Sequence, residues 1–185
     1  MQCRPSAFFL PAGVTVALIL LTAASHAATG DKAGYESAKA AAKAAYDVAA
    51  KRCDESTGNA KDVCIAEAKA VRTRAEAEAE VRSQGTPKAR ENAAEEIAEA
   101  EYKVAREECN ARSGNDKDVC VKVAKARLTR IKADAKAALK IAEAKADASK
   151  EKRTADYKVA AEKCEAMTGS AKGACISQAK ARYGM

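Results

Sequence analysis

Six cysteines, set as three Cys-x10-Cys pairs, hold most of the chemistry this chain could do. The pairs are Cys53 with Cys64, Cys109 with Cys120, and Cys164 with Cys175. Each closes a repeated stretch, Tyr-x-Val-Ala-x-x-x-Cys, that begins at Tyr46, Tyr102 and Tyr157. Midway in each pair stands a glycine (Gly58, Gly114, Gly169; the third pair also encloses Gly173), and three residues after it stands a lysine (Lys61, Lys117, Lys172). Paired thiols can form a disulfide, take up a soft metal such as copper(I), or exchange with other thiols. Structural zinc sites use cysteines about two to four residues apart, so a ten-residue interval does not suit them. No Cys-x-x-Cys occurs, and no strand pattern of a thioredoxin-like fold accompanies the cysteines. The expectation for metals and cofactors is therefore none, with soft-metal or redox buffering by the cysteines as the alternative.

The rest of the inventory narrows the chemistry further. Residues 1–27 read as a secretory signal: Arg4, an apolar run over about 7–21, then small residues, with Ser25 and Ala27 at the −3 and −1 positions of a cleavage site. Cleavage is expected after Ala27 or Ala28. The run is interrupted by Pro11 and Gly13 and is shorter than the roughly 20 apolar residues a membrane span needs. Export removes His26, Phe8, Phe9 and Cys3, leaving six cysteines and no His, Phe or Trp. Without His there is no Ser/His or Cys/His pair for nucleophilic catalysis, and the expectation is a non-enzyme with no catalytic residues. An exported chain meets an oxidising compartment, where paired cysteines persist as disulfides.

These residues must be positioned by helices. Beyond residue 27 there are only sixteen Val, Ile and Leu residues, too few for an ordinary core, while Ala, Glu, Lys and Arg dominate, the composition of long helices and coiled coils. Alanine is the strongest helix former because it gives up no side-chain entropy. The fold class expected is all-α, three disulfide-stapled αα-hairpin repeats: residues 28–85, 86–148 and a shorter 149–185. In each repeat the glycine suits the left-handed residue past a helix end. Asn59, Asn115 and Ser170 then read as N-caps, the first two with an acid three residues on, Asp62 and Asp118. In such a hairpin the two cysteines face each other little more than one turn from the bend. Of the 15 connectivities six cysteines allow, pairing within each repeat closes the smallest loops, each worth roughly 3 kcal/mol. The tyrosine two turns before the first cysteine lies on the same face and fills the layer beneath the bridge. Mirrored through the turn, Tyr46 comes opposite Val71 and Tyr102 opposite the Arg127–Leu128 step. The stretch Ser83-Gln84-Gly85-Thr86-Pro87 reads as a helix stop and restart, with Thr86 as N-cap and Pro87 as first helical residue. No Gly or Pro interrupts residues 116–168, so one continuous rod is expected there, about 75 Å long at 1.5 Å per residue.

Charge is sorted along the chain. From Glu76 to Glu108 there are ten acids and five bases, and from Lys117 to Arg153 five acids and twelve bases. Folding about Gly114 sets Glu91, Glu95, Glu96, Glu99 and Glu101 against Lys125, Arg127, Arg130, Lys132 and Lys136. The basic stretch has no aromatic or motif support for nucleic-acid binding, so no nucleic acid is expected. Contact with an anionic envelope surface follows from simple counter-charge.

The segments KARENAAEEIAEAE (88–101) and KADAKAALKIAEAKADASKEKRTAD (132–156) resemble the Ala/Lys/Glu-rich helical middle of the TolA envelope protein. With the signal expected to be cleaved, no retained membrane anchor is expected, nor room for that family's globular C-terminal domain, so its function is not carried over. The tripled Tyr-x-Val-Ala…Cys-x10-Cys unit is similar to a group of uncharacterised exported Ala-rich proteobacterial proteins, some of them labelled TolA-like. That resemblance spans nearly all of the chain after the signal and implies a periplasmic location without an activity. The function expected is a periplasmic structural or interaction protein of the cell envelope whose partner is an envelope component, another protein or a second copy. A soluble holdase using the alanine faces is a further alternative. Lys61, Lys117 and Lys172 are the candidate interaction residues, because a cation near a helix N-terminus is not placed there for stability.

Overall fold

The computed structural model describes residues 31–185; the expected signal, 1–27, lies outside them. Five α-helices follow one another: α1 (Lys32–Arg52), α2 (Gly58–Gln84), α3 (Pro87–Cys109), α4 (Gly114–Glu165) and α5 (Gly169–Tyr183). No described residue is in a strand, so the all-α reading holds. Each helix packs against its neighbours in sequence and no others. The result is an up-and-down array one helix thick, in which α2 and α3 are flanked on both sides while α1 and the outer side of α4 are edges.

The turns that form this array are of two kinds. At Gly85 the chain ends α2 as expected: Gly85 is left-handed (φ 64°), its N–H donates to the Val81 carbonyl, and the Thr86 hydroxyl accepts from the Ala89 N–H ahead of Pro87. The three cysteine turns differ from the expected capping. There the extended residue is Thr57, Ser113 or Thr168, and the left-handed glycine opens the second helix instead of closing the first. None of these three residues makes a side-chain cap, and Asn59 is not an N-cap. Its Nδ2 donates across to the Glu107 carbonyl of α3 at 2.9 Å, tying the first turn of α2 to the last turn of α3. Because these helices begin at the glycine, Asn59, Asn115 and Ser170 lie inside the first turn, two residues past the position from which a side chain caps.

The interior is built of alanine. Among the described residues the buried apolar side chains are alanines, three cysteines and Leu128. Seven of those alanines, Ala68, Ala77, Ala79, Ala89, Ala93, Ala98 and Ala100, lie on α2 and α3. That hairpin is the one whose own turn carries no disulfide, so close packing of small side chains does there what a covalent bridge does at the other turns. The continuous rod expected over 116–168 is observed as α4, 52 residues long. It passes unbroken through residue 148, where the second and third repeats were divided. Every residue from 143 to 153 is exposed, because α3 begins at Pro87 and α5 ends at Tyr183, leaving this stretch without a packed neighbour among the described residues.

Candidate functional site

The three cysteine pairs all close within their own repeat. Cys53–Cys64, Cys109–Cys120 and Cys164–Cys175 are disulfides with Cα separations of 5.6, 5.7 and 5.7 Å, inside the span that an unforced bridge occupies. In each pair the first cysteine is buried and the second half-exposed. With these six sulfurs paired, the described residues hold no free thiol. No cluster of three or more Cys, His, Asp or Glu arranged for a metal is found among the described residues.

The three lysines turn out to have different surroundings. Lys61 Nζ lies 2.8 Å from Asp54, and Lys172 Nζ lies 2.6 Å from Glu165, each the residue just after the first cysteine. These lysines therefore bridge the turn from inside it. In the second repeat the equivalent position is Asn110, whose amide donates to Glu107 of its own helix, and Lys117 makes no ion pair within 4 Å among the described residues. The structural role that the sequence did not show for Lys61 and Lys172 is thus a cross-turn ion pair, which substitution of one acid by Asn removes at Lys117.

The tyrosines are half-buried in all three repeats, but their partners depend on the neighbouring helix. Val71 does not cover Tyr46; it is 67% exposed, and the Arg72 guanidinium lies 5.8 Å from the Tyr46 ring centre instead. Tyr102 sits beside Arg127 and Leu128 as expected, with the Lys125 ammonium 5.3 Å from its ring. The valine two residues after each tyrosine does not fill the layer in every repeat: Val48 and Val159 are exposed, while Val104 is half-buried. That valine points away from the disulfide side, and of the three helices that carry it only α3 is flanked on both sides.

Charge pairing between α3 and α4 is real but selective. Arg127 reaches Glu101 at 3.0 Å and Lys132 reaches Glu99 at 2.5 Å; Glu101 also holds Arg74 of α2. The Lys132 bond holds the Glu99 carboxyl below its ordinary value and raises the Lys132 ammonium in turn. Buried Glu91 pairs with Lys88 on its own helix. Glu96 faces the other way, and partial desolvation together with Glu80, Glu99 and Glu76 pushes its carboxyl up.

One concave feature was not foreseen. An open groove of about 730 Å³ runs along α2 between α1 and α3, floored by Ile65, Ala66, Ala70 and Ala100 and walled at one end by Tyr46. Lys61, Lys69, Arg72 and Lys103 rim it beside Asp62, Glu76 and Glu107. Its lining contains no Ser, Cys or His. It arises because α1 and α3, which do not touch each other, stand on either side of α2; no local pattern in the sequence encodes that relation. Comparison with family models, with curated proteins and with solved structures finds no match for this chain.

Proposed function

We propose that the protein is a non-enzymatic structural and interaction protein of the periplasm, a set of stapled helical hairpins that presents long charged helix faces to a partner. The observation that carries this reading is the closure of all three cysteine pairs within their repeats, the use of cysteine expected of a chain with little core in an oxidising compartment. No helix among the described residues is long and apolar enough to cross a membrane, in keeping with an exported chain. The one-helix-thick array supports the interaction role: it leaves two broad faces and two edges open while burying little but alanine. The test is to fractionate cells producing the full chain, then alkylate without reductant and weigh the protein. A periplasmic species lacking residues 1–27 or 1–28 and carrying no alkyl groups is expected. Six alkylated thiols, or retention in the cytoplasm, overturns the reading.

A further inference from the structure

Helix α4 carries an apolar seam that nothing among the described residues covers. Leu128 and Cys164, its two buried residues, lie ten turns apart on one side, facing α3 and α5. At 100° per residue, Val119, Val123, Ala137, Ile141, Ala148 and Val159 all fall within about 40° of the opposite direction. The four larger ones are exposed by 50, 62, 56 and 58%, and the two alanines are exposed as well. The steps from 137 to 141 and from 141 to 148 are the four- and seven-residue spacings of a coiled-coil seam. From Val119 to Val159 it runs roughly 60 Å along an edge of the array, with Arg130 and Glu151 the charged residues in the same sector.

We propose that this seam docks an acidic amphipathic helix of another protein, packed along α4 in coiled-coil fashion. The inference rests on reading the chain as an interaction protein and names the surface and the chemistry of the partner. Charge selects the sign. Between Lys117 and Arg153 twelve bases face five acids, and only Arg127 and Lys132 of those bases reach acids on α3. On the half of α4 turned away from Leu128, Lys122, Arg130, Lys140, Lys145 and Lys152 stand against Asp134, Asp147 and Glu151, so cations predominate beside whatever lies along the seam. A second copy does not answer them. Its α4 carries the same excess, and its other edge, α1, sets Lys32, Lys39, Lys43, Lys51 and Arg52 against Glu36 and Asp47. The acidic helix α3 is already flanked by α2 and α4. A bilayer surface fits the apolar residues poorly, since interfacial helices anchor with Trp, Phe or Leu, whereas alanines and valines admit the close approach of another helix. Recognition by such seams is set by flanking charge and apolar spacing together.

The test uses the oxidised full chain and a labelled synthetic helix of about five heptads with Leu at the seam positions and Glu beside them, compared with its Lys counterpart. Like charges keep either peptide from pairing with itself, so anisotropy reports binding to the protein. The Glu peptide is expected to bind at least about tenfold tighter than the Lys peptide, with the preference lost between about 0.01 and 1 M salt. Val123→Glu with Ile141→Glu is expected to weaken binding about tenfold or more, while Val71→Glu, exposed but off the seam, leaves it unchanged. Circular dichroism confirms that these surface variants fold. Equal affinity for the two peptides, no binding of the Glu peptide, or an equal loss in Val71→Glu overturns the proposal. So does a dimer by light scattering that Val123→Glu with Ile141→Glu abolishes, which gives the seam to a second copy. In each case an oxidised, exported chain leaves the broader periplasmic reading standing.

Discussion

Removing the third disulfide should release α5 and little else. Helix α5 is fifteen residues long and packs against α4 alone, through Ala179, which is buried, and half-buried Ile176 and Tyr183. An isolated helix of that length is marginal in water, and the Lys172–Glu165 pair is exposed and worth little. The bridge closes a loop with its cysteines 11 residues apart, and in the chain-entropy model that closure is worth about 3 kcal/mol, or roughly a hundredfold in the docking equilibrium. Cys164→Ala with Cys175→Ala suits the test, since Cys164 is 1% exposed and serine would bury a hydroxyl there. Amide hydrogen exchange should show protection across α5 falling about a hundredfold while α2 and α3 keep theirs. Far-ultraviolet circular dichroism should lose up to about a tenth of its helical signal. The same pair of changes at Cys109 and Cys120 should instead lower protection over α3 and α4 together, because those helices also share Leu128 and two ion pairs. A drop in α5 of less than about tenfold, or an equal loss in α2 and α3, would refute the argument that the staple is what holds the third hairpin.

Leu128→Ala empties the one large aliphatic position that is buried among the described residues, and urea unfolding should show a loss of about 2–3 kcal/mol. Gly114→Ala places a side chain at φ 54° in open space, so the cost of about 1 kcal/mol is conformational alone and should appear as a lower urea midpoint with the same helical content. Glu96→Gln should stabilise at neutral pH. The folded carboxyl is raised above its unfolded value, so its ionised form opposes folding and stability is lost as pH rises through that range. Because the side chain is exposed, screening leaves less than about 0.5 kcal/mol, and the gain over the parent protein should vanish in unfolding curves below about pH 4.

Local chemistry was legible without the structure. Gly85, Thr86 and Pro87 act on the backbone within four residues, and the turn they make is the expected one. The disulfide pairing follows from two short intervals around a bend, and the unbroken α4 from the absence of any helix breaker in it. Asn59 shows where this reasoning stops, because its amide bonds a carbonyl of a helix 48 residues away in sequence, a contact that no local pattern encodes.

The sequence by itself determined the helices, their reversals and the covalent locks, since each depends on dihedral preference, side-chain entropy or loop closure over a few residues. Tertiary structure decided which copies of the repeated unit are alike. Val104 is half-buried while Val48 and Val159 are exposed, Lys61 and Lys172 are paired while Lys117 is not, and Tyr46 alone of the repeat tyrosines walls the broad groove along α2. Burial and pairing depend on what stands beside a residue, and for a repeat in an open array that is fixed by whether its helix lies at the centre or at an edge.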